Sequence, residues 1–182
     1  MARIFGVDCI VDAAHSWGQM NFDLNDLGAD FVGFNLHKWM GAPLGAGVMY
    51  IKSTRLADIA PASGDNVWLQ EQAASHNDRG FTYKRIHTGT FNYAAWLSVP
   101  TALAYRDTIG AELIAARLRY LRHYWTSQVG SHVQVIGSQH VDNFAGIGAF
   151  RLNGLAAGSC LRITPALFTS TAELDTLLHA LT

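Results

Sequence analysis

The sequence predicts an α/β fold followed by a small α+β domain that begins near residue 110. Short apolar runs near the start of the chain are rich in β-branched residues and stop at polar residues, which is typical of buried strands. Two helical patterns follow in the middle of the chain. After residue 130 the pattern changes to short strands and one terminal helix, which indicates the second domain.

The composition supplies ample apolar material for a packed core and few charges. Of 182 residues, 49% are hydrophobic and 15% are charged, and soluble domains carry about 25% charged residues. The net charge is −1, without a basic stripe, so a nucleic-acid partner is not expected. Two cysteines cannot build a secreted disulfide framework. No signal peptide and no long apolar run is present, so we expect a cytoplasmic protein without a membrane partner.

The first predicted strand covers residues 7–12 and ends on Asp12. At the carboxyl end of a strand in an open α/β sheet, a side chain points into the crevice where ligands bind. Asp12 is therefore a candidate ligand-binding carboxylate. The ordinary alternative for such an aspartate is a turn former.

Lys38 lies between the predicted strands 31–34 and 48–51, ahead of a glycine-rich turn. Its neighbours are His37 and Trp39, and in apolar surroundings an ammonium group loses hydration. We expect this loss to lower the pKa of Lys38 until it can serve as a nucleophile or base. The ordinary alternative is a surface lysine at a strand end.

The middle of the chain is predicted to hold a loop and then a divided helix. Residues 61–79 are polar without periodicity, and so long a loop favours a binding role or an oligomer contact. A helix is predicted from Tyr93 to Tyr105, capped by Thr90 or Asn92. Pro100 falls inside it and should kink or divide it.

The second domain begins with a helix predicted over residues 111–129. Its arginines, Arg117, Arg119 and Arg122, are expected to form a solvated face. Three strands follow, at residues 133–136, 148–152 and 161–163. Ser170 and Glu173 form a capping-box pattern that opens a final helix ending at Leu181.

An amine and a carboxylate at the ends of successive strands suit pyridoxal phosphate as a cofactor. Its aldehyde condenses with a lysine, here Lys38. A carboxylate, here Asp12, keeps the ring nitrogen protonated so that the ring can absorb carbanion charge.

Three sequence blocks resemble the class V aminotransferase family of fold-type-I pyridoxal-phosphate enzymes, and most of all its isopenicillin N epimerase-like proteins. They are Asp-Ala-Ala-His at 12–15, Asn-Leu-His-Lys at 35–38 and Thr-Gly-Thr-Phe-Asn at 88–92. Residues 161–169 resemble the family's C-terminal signature. The resemblance implies a partial large domain with a mainly parallel sheet over residues 1–109. It also implies a small α+β domain over residues 110–182, which is shorter between residues 150 and 162 than in members of the family.

The resemblance also implies a role for each matching residue. Lys38 would form the Schiff base with pyridoxal 5'-phosphate, and Asp12 would pair with the ring nitrogen. His15 would lie near the phenolic oxygen of the cofactor. Asn35 and His37 would face its phosphate.

Two further implied roles involve a second subunit and the substrate. Gly89 and Thr90 would reach the phosphate of the neighbouring subunit's cofactor, because such enzymes form homodimers with shared sites. Arg162 would bind the substrate carboxylate through a bidentate contact, for which a planar guanidinium is suited. The ordinary alternatives are a satisfied polar residue for His15, a helix cap for Thr90 and a surface charge for Arg162.

The predicted function is that of a pyridoxal-phosphate enzyme acting on an amino acid, as an epimerase, lyase or aminotransferase. Lys38 would double as the base that moves the proton. A cysteine desulfurase needs a nucleophilic cysteine on a mobile loop upstream of the substrate-binding arginine. It is less favoured here, because Cys160 lies only two positions before Arg162 and is expected on the strand itself. A metal hydrolase is also disfavoured, since the histidines show no ligand-like spacing such as His-x-x-x-His.

The alternative is a catalytically inactive, truncated remnant that dimerises or binds a partner. The residues that resemble the family lack its N-terminal half, which holds the phosphate-cradling loop and the aromatic residue that stacks on the ring. If this truncation is real, we expect the isolated chain to bind pyridoxal phosphate weakly or not at all.

Overall fold

The computed structural model describes residues 2–60, 92–154 and 159–182. The predicted loop at 61–79, Gly89 and Thr90 lie outside these residues. The chain forms two compact units. Unit 1 comprises Met1–Ala14, Asp23–His37 and Ala42–Val99, and unit 2 comprises His15–Phe22, Lys38–Gly41 and Pro100–Thr182. The predicted domain boundary between residues 109 and 110 stays a prediction.

Unit 1 contains a three-stranded sheet in the order β1-β2-β3. The strands are β1 (Ile10–Asp12), β2 (Phe31–Asn35) and β3 (Gly47–Ile51). β1 and β2 are parallel, but β2 and β3 are antiparallel. The predicted mainly parallel sheet is therefore wrong for β3. A parallel crossover needs about a dozen or more residues and usually a helix, whereas residues 36–46 form only bends and turns.

The buried face of β2 carries Val32 and Phe34, which the alternation of side chains along a strand places on one side. Asp30, just before this strand, is buried, and its Oδ2 accepts a hydrogen bond from the backbone N–H of Cys9 at 2.9 Å. This bond satisfies one oxygen of a carboxylate that would otherwise be costly to bury.

The helix predicted from Tyr93 is divided, as expected. It forms α1 (Tyr93–Leu97) and α2 (Val99–Ile109), with Pro100 in the first turn of α2, where its missing N–H costs nothing. Asn92 caps α1, because its Oδ1 accepts a hydrogen bond from the N–H of Ala94 at 3.0 Å.

Unit 2 contains α3 (Ala111–Thr126), β4 (Val133–Ile136), β5 (Gly148–Leu152), β6 (Leu161–Ile163) and α4 (Thr171–Ala180). The three strands form an antiparallel sheet in the order β4-β5-β6. These elements confirm the strands and helices predicted after residue 110. None of the helices in the described ranges is long and apolar enough to cross a membrane.

The core of unit 2 lies between α3, α4 and the sheet. Trp125 and Phe150 are fully buried, and their rings meet edge to face with centroids 5.8 Å apart. Leu121, Val133 and Leu174 complete the cluster. Gly148 lies so close that a Cβ atom there would be 2.4 Å from Cζ2 of Trp125. Only glycine therefore fits at this position of β5.

Helix α4 begins with the predicted capping box. The N–H of Glu173 donates to Oγ of Ser170, and Oε2 of Glu173 accepts from the N–H of Ser170 at 2.8 Å. Hydrogen bonds from Ser170 lower the pKa of Glu173, because they favour its charged form. Tyr124 of α3 donates from its hydroxyl to Oδ1 of Asp175 in α4 at 2.7 Å, which joins the two helices.

The predicted solvated face of arginines is wrong for Arg122, which is only 2% exposed. Its Nη2 donates to the carbonyl of Ser138 at 2.8 Å, and its guanidinium lies 3.9 Å from the centroid of the Phe144 ring. This burial lowers the pKa of Arg122. The planar guanidinium can stack on an aromatic ring, and the stacking offsets part of the lost hydration.

Candidate functional site

In unit 1, Asp12 is the last residue of β1 and its side chain is exposed. Oδ1 accepts a hydrogen bond from the N–H of Ala14 at 2.9 Å, which is the turn-forming role expected as the ordinary alternative. Within the described ranges the carboxylate makes no ion pair. One oxygen therefore remains available for a cationic group.

Asn35 and His37 lie at the end of β2, also in unit 1. Asn35 pairs with Gly47 in the sheet, and His37 follows it by two residues and is half-buried. Nδ1 of His37 is buried and has no hydrogen-bond partner among residues that the structure describes. Buried polar atoms are nearly always paired, so this nitrogen calls for a partner such as a phosphate oxygen or a water molecule.

In unit 2, three predicted site residues line one cleft of about 630 Å³: His15, Lys38 and Arg162. They come from three separate segments, which are residues 15–22, residues 38–41 and strand β6. The fold of this unit therefore brings together residues that are up to 147 positions apart in sequence (162 minus 15).

His15 is held in one orientation by its neighbours. Nε1 of Trp39 donates to Nδ1 of His15 at 3.3 Å, and the two rings meet edge to face with centroids 6.4 Å apart. An imidazole that accepts at Nδ1 and is neutral carries its proton on Nε2. The buried side chain of Gln19 donates to the carbonyl of His15 and accepts from the N–H of Gly146 at 2.9 Å. This second contact fixes the backbone of His15.

Arg106, on α2, fixes the segment that carries Lys38. Nη1 donates to the carbonyl of Trp39 and Nη2 to the carbonyl of Gly18, both at 2.5 Å. Burial lowers the pKa of Arg106, and the nearby carboxylate of Asp107 opposes that effect. Gly18 has φ +84°, and a Cβ there would lie 2.9 Å from Cβ of Trp39. The two segments are therefore in close contact as well as bridged.

Sequence reasoning missed Arg106 altogether, since α2 shows no pattern that distinguishes this arginine from a surface residue.

The surroundings of Lys38 also differ from those expected. Lys38 lies, as predicted, on a short segment between two strands, but its side chain is exposed, whereas apolar surroundings were expected. Arg162 is exposed too.

The electrostatics of the cleft favour an anionic ligand. Its lining includes the cationic side chains Lys38, Arg106 and Arg162, and none of the described lining residues is an aspartate or a glutamate. Neither Lys38 nor Arg162 forms an ion pair within the described part of the chain. Both cations are therefore available to a carboxylate or phosphate group.

The structure thus brings together three of the predicted site residues and describes three others, Asp12, Asn35 and His37, within unit 1. Gly89 and Thr90 are outside the described residues.

Comparison with known proteins is consistent with the predicted kinship. The chain is 30% identical over 129 residues to isopenicillin N epimerase from Streptomyces clavuligerus, which covers 66% of this chain and 32% of that protein. It is 30% identical over 158 residues to a cysteine desulfurase from Escherichia coli O6:K15:H31, which covers 84% of this chain and 37% of that protein. The chain spans about a third of the length of these relatives.

Among solved structures, the apo cysteine desulfurase from Thermococcus onnurineus NA1 matches 98% of this chain with a TM-score of 0.79 and 20% identity. The chain covers 52% of that structure, so it has the fold of about half of a complete relative. Residues 1–163 match the family described as Aminotransferase class-V. The chain therefore belongs to the class V aminotransferase family.

Proposed function

We propose that the protein is a pyridoxal-phosphate enzyme acting on an amino acid, with Lys38 as the residue to which the cofactor is attached. The observation that carries this proposal is the shared cleft of unit 2, where Lys38 lies with His15 and Arg162. Family membership supports it, because the family depends on pyridoxal phosphate.

The residues present fit this cofactor chemically. Lys38 is an exposed amine without an ion-pair partner in the described ranges, so it is open to an aldehyde. In unit 1, Asp12 keeps a carboxylate oxygen, a group that can pair with a protonated ring nitrogen. Nδ1 of His37 has no hydrogen-bond partner among the described residues, and such a nitrogen suits a phosphate oxygen. His15 lies in the same cleft as Lys38, and its Nδ1 accepts a hydrogen bond from Nε1 of Trp39.

The side chains in the cleft divide the chemistry between them. When bound, pyridoxal phosphate supplies an electron sink that acidifies the α-carbon of an amino acid. Arg162 binds the α-carboxylate through two parallel hydrogen bonds and so orients the α-carbon. Nζ of Lys38 takes the proton from the α-carbon and can return it. Trp39 and Arg106 keep His15 and Lys38 in position.

The reaction is proposed to be an epimerisation, a lyase reaction or an aminotransfer. Cysteine desulfurase activity, the activity named for several relatives, is less favoured for this chain. Its free thiol Cys160 is exposed next to β6, and it is absent from the described residues that line the cleft. A cytoplasmic homodimer with shared sites is proposed as the assembly, in keeping with the typically dimeric family.

Thermal unfolding with and without cofactor tests this function. A ligand that binds only the folded state raises the melting temperature as its concentration rises. We expect pyridoxal phosphate to raise it in the wild-type chain and much less in Lys38→Ala. The control is Lys52→Ala, since Lys52 does not line the cleft. A melting temperature that is independent of cofactor concentration would favour the inactive remnant.

A further inference from the structure

We propose that the cleft of unit 2 selects amino acids that carry a second anionic group on their side chain, and that Arg106 is the specificity-determining residue that binds this group. This inference rests on the proposed function, because it takes Arg162 to bind the α-carboxylate and Lys38 to hold the cofactor.

Arg106 keeps its positive charge although both of its terminal nitrogens are hydrogen-bonded. Nη1 and Nη2 donate to the carbonyls of Trp39 and Gly18, which are neutral groups. Within the described part of the chain no carboxylate forms an ion pair with Arg106. Burial lowers the pKa of Arg106, but an arginine side chain stays protonated in proteins. The guanidinium therefore lacks a counter-charge that the two carbonyls cannot supply.

The acidic residue that acts on Arg106 lies outside the cleft. The carboxylate of Asp107, the next residue of α2, raises the pKa of Arg106 and so opposes the effect of burial. Asp107 is exposed and lines a neighbouring cavity of about 240 Å³, not the cleft itself. Because water screens an exposed carboxylate, Asp107 balances the charge of Arg106 only in part.

The cleft holds more positive charge than the cofactor attachment and one carboxylate would use. Its described lining includes Lys38, Arg106 and Arg162 and no aspartate or glutamate. The proposed function assigns Lys38 to the cofactor and Arg162 to the α-carboxylate, which leaves Arg106 without an anionic partner. A negatively charged substrate side chain would supply that partner, whereas a neutral one would leave the charge unbalanced.

The apolar part of the lining strengthens this selection. Ile114 and Leu118 of α3 are buried, Leu167 is half-buried, and all three line the cleft. Walls of low dielectric constant focus the field of the cations, so an anion is attracted more strongly there than in open water. The same walls can pack against the methylene groups between the α-carbon and the side-chain anion.

The hydrogen bonds of Arg106 also fix its guanidinium before a ligand binds. The planar group is held at both terminal nitrogens, with each donor 2.5 Å from its carbonyl oxygen. A side chain that is already ordered binds an anion without the entropic cost of immobilising it. Arg106 is therefore better suited to discriminate charge than a freely rotating surface arginine.

The phosphate of the cofactor is the other possible source of an anion for Arg106. In the proposed function the phosphate is bound by His37, whose buried Nδ1 has no hydrogen-bond partner among the described residues. We therefore assign Arg106 to the substrate side chain, and the experiment distinguishes the two sources.

The test is calorimetric titration of the whole chain with L-glutamate and L-glutamine, and with L-aspartate and L-asparagine, in the presence and absence of pyridoxal phosphate. Each pair differs in side-chain charge and hardly in size. We expect each acid to bind about tenfold more tightly than its amide, because hydrogen bonds between charged groups are the stronger ones. This comparison uses the wild-type chain, so it decides the question even if a variant fails to fold.

Variants of Arg106 assign the preference to this residue. Arg106→Met should bring the ratio of acid to amide affinity close to one, and Arg106→Lys should keep most of it, because an ammonium retains the charge. A general loosening of the cleft affects acid and amide alike, so the ratio reports on charge and not on the contacts with Trp39 and Gly18. The matched control is Arg119→Met, which removes an arginine of α3 that does not line the cleft and should keep the wild-type ratio.

Equal binding of acid and amide by the wild type, an unchanged ratio in Arg106→Met, or the same loss of the ratio in Arg119→Met would each overturn the inference. Weaker binding of pyridoxal phosphate by Arg106→Met, with the ratio unchanged, would overturn it in favour of the cofactor phosphate as the partner of Arg106.

Failure of this inference is separable from failure of the proposed function. If the preference for acids and its dependence on Arg106 persist without any attachment of cofactor to Lys38, the binding site for the side-chain anion stands and the proposed function falls. If the cofactor attaches to Lys38 but acid and amide bind equally, or neither binds, the proposed function stands and this inference falls.

Discussion

The guanidinium of Arg106 donates a hydrogen bond to the backbone carbonyl of Trp39 at 2.5 Å, one residue beyond Lys38. The same group donates to the carbonyl of Gly18, so one side chain of α2 bridges two of the segments that line the cleft. These carbonyls belong to irregular backbone, which lacks the regular partners of a helix or strand. Arg106 therefore provides these two carbonyls with the hydrogen-bond donors that a helix or a strand would otherwise provide.

Replacing Arg106 by Met should lower the free energy of unfolding by about 2 to 3 kcal/mol, because two charge-assisted hydrogen bonds are lost and two carbonyls are left without donors. Urea unfolding measures this loss. Arg106→Lys should recover part of it, since an ammonium can serve one carbonyl well but cannot fork to both. The control is Arg119→Met on α3, and equal losses in both variants would contradict the bridging role.

Replacing Gln19 by Ala should destabilise the chain by about 2 kcal/mol. Gln19 is 3% exposed and bonds both the carbonyl of His15 and the N–H of Gly146. Its removal takes the partner from the buried N–H of Gly146 and one partner from the part-buried carbonyl of His15, and an unpaired buried backbone group costs about 1 to 3 kcal/mol when water does not replace the partner. Chemical unfolding beside the exposed control Gln134→Ala checks this. Similar midpoints for the two variants would show that the bridge contributes nothing.

Replacing Gly148 by Ala should cost about 1 to 3 kcal/mol, because overpacking a tight core forces neighbours out of their preferred positions. The added Cβ would lie 2.4 Å from Cζ2 of the fully buried Trp125. Gly33→Ala is the control, since its Cβ would meet only the side chain of Met49 at an ordinary 3.6 Å. We therefore expect a lower denaturant midpoint for Gly148→Ala than for Gly33→Ala. The opposite order would contradict the close packing of Gly148 against Trp125.

The capping box of α4 should make stability depend on pH in the acid range. The pKa of Glu173 is lowered from its ordinary value of 4.5 by hydrogen bonds from Ser170. Its contribution is therefore fully present above pH 4.5 and is lost as the pH falls through the lowered pKa. Melting curves at neutral and acid pH should show a smaller acid-induced decrease for Glu173→Gln than for the wild type. Glu112→Gln, in the first turn of α3, should keep the wild-type dependence.

Most elements of the fold could be predicted because local patterns determine them. The capping box at Ser170, the division of the helix near Pro100 and the strands of unit 2 each depend on a few neighbouring residues. The direction of β3 was predicted wrongly, since the resemblance implied a mainly parallel sheet. The absence of a helix between β2 and β3 would have indicated an antiparallel pair.

The sequence predicts which side chains supply the chemistry of the site, but it does not predict the contacts that hold them in place. Lys38 and Arg162 are recognisable from motifs, and the structure places both at one cleft. The bridging roles of Arg106 and Gln19 depend on contacts 67 to 127 positions apart in sequence, which no local pattern reveals. The burial of Arg122 was missed for the same reason, because its ring partner Phe144 belongs to a different segment.

The most direct test of Lys38 is chemical trapping. The sequence contains three lysines, Lys38, Lys52 and Lys84, so borohydride reduction in the presence of pyridoxal phosphate followed by peptide mass mapping can assign the attached cofactor to one amine. Trapping accumulates product even when binding is weak. We predict that the cofactor mass appears on the peptide containing Lys38 and disappears in Lys38→Ala, while Lys52→Ala retains it. Equal labelling of all three lysines, or none at Lys38, would contradict the account.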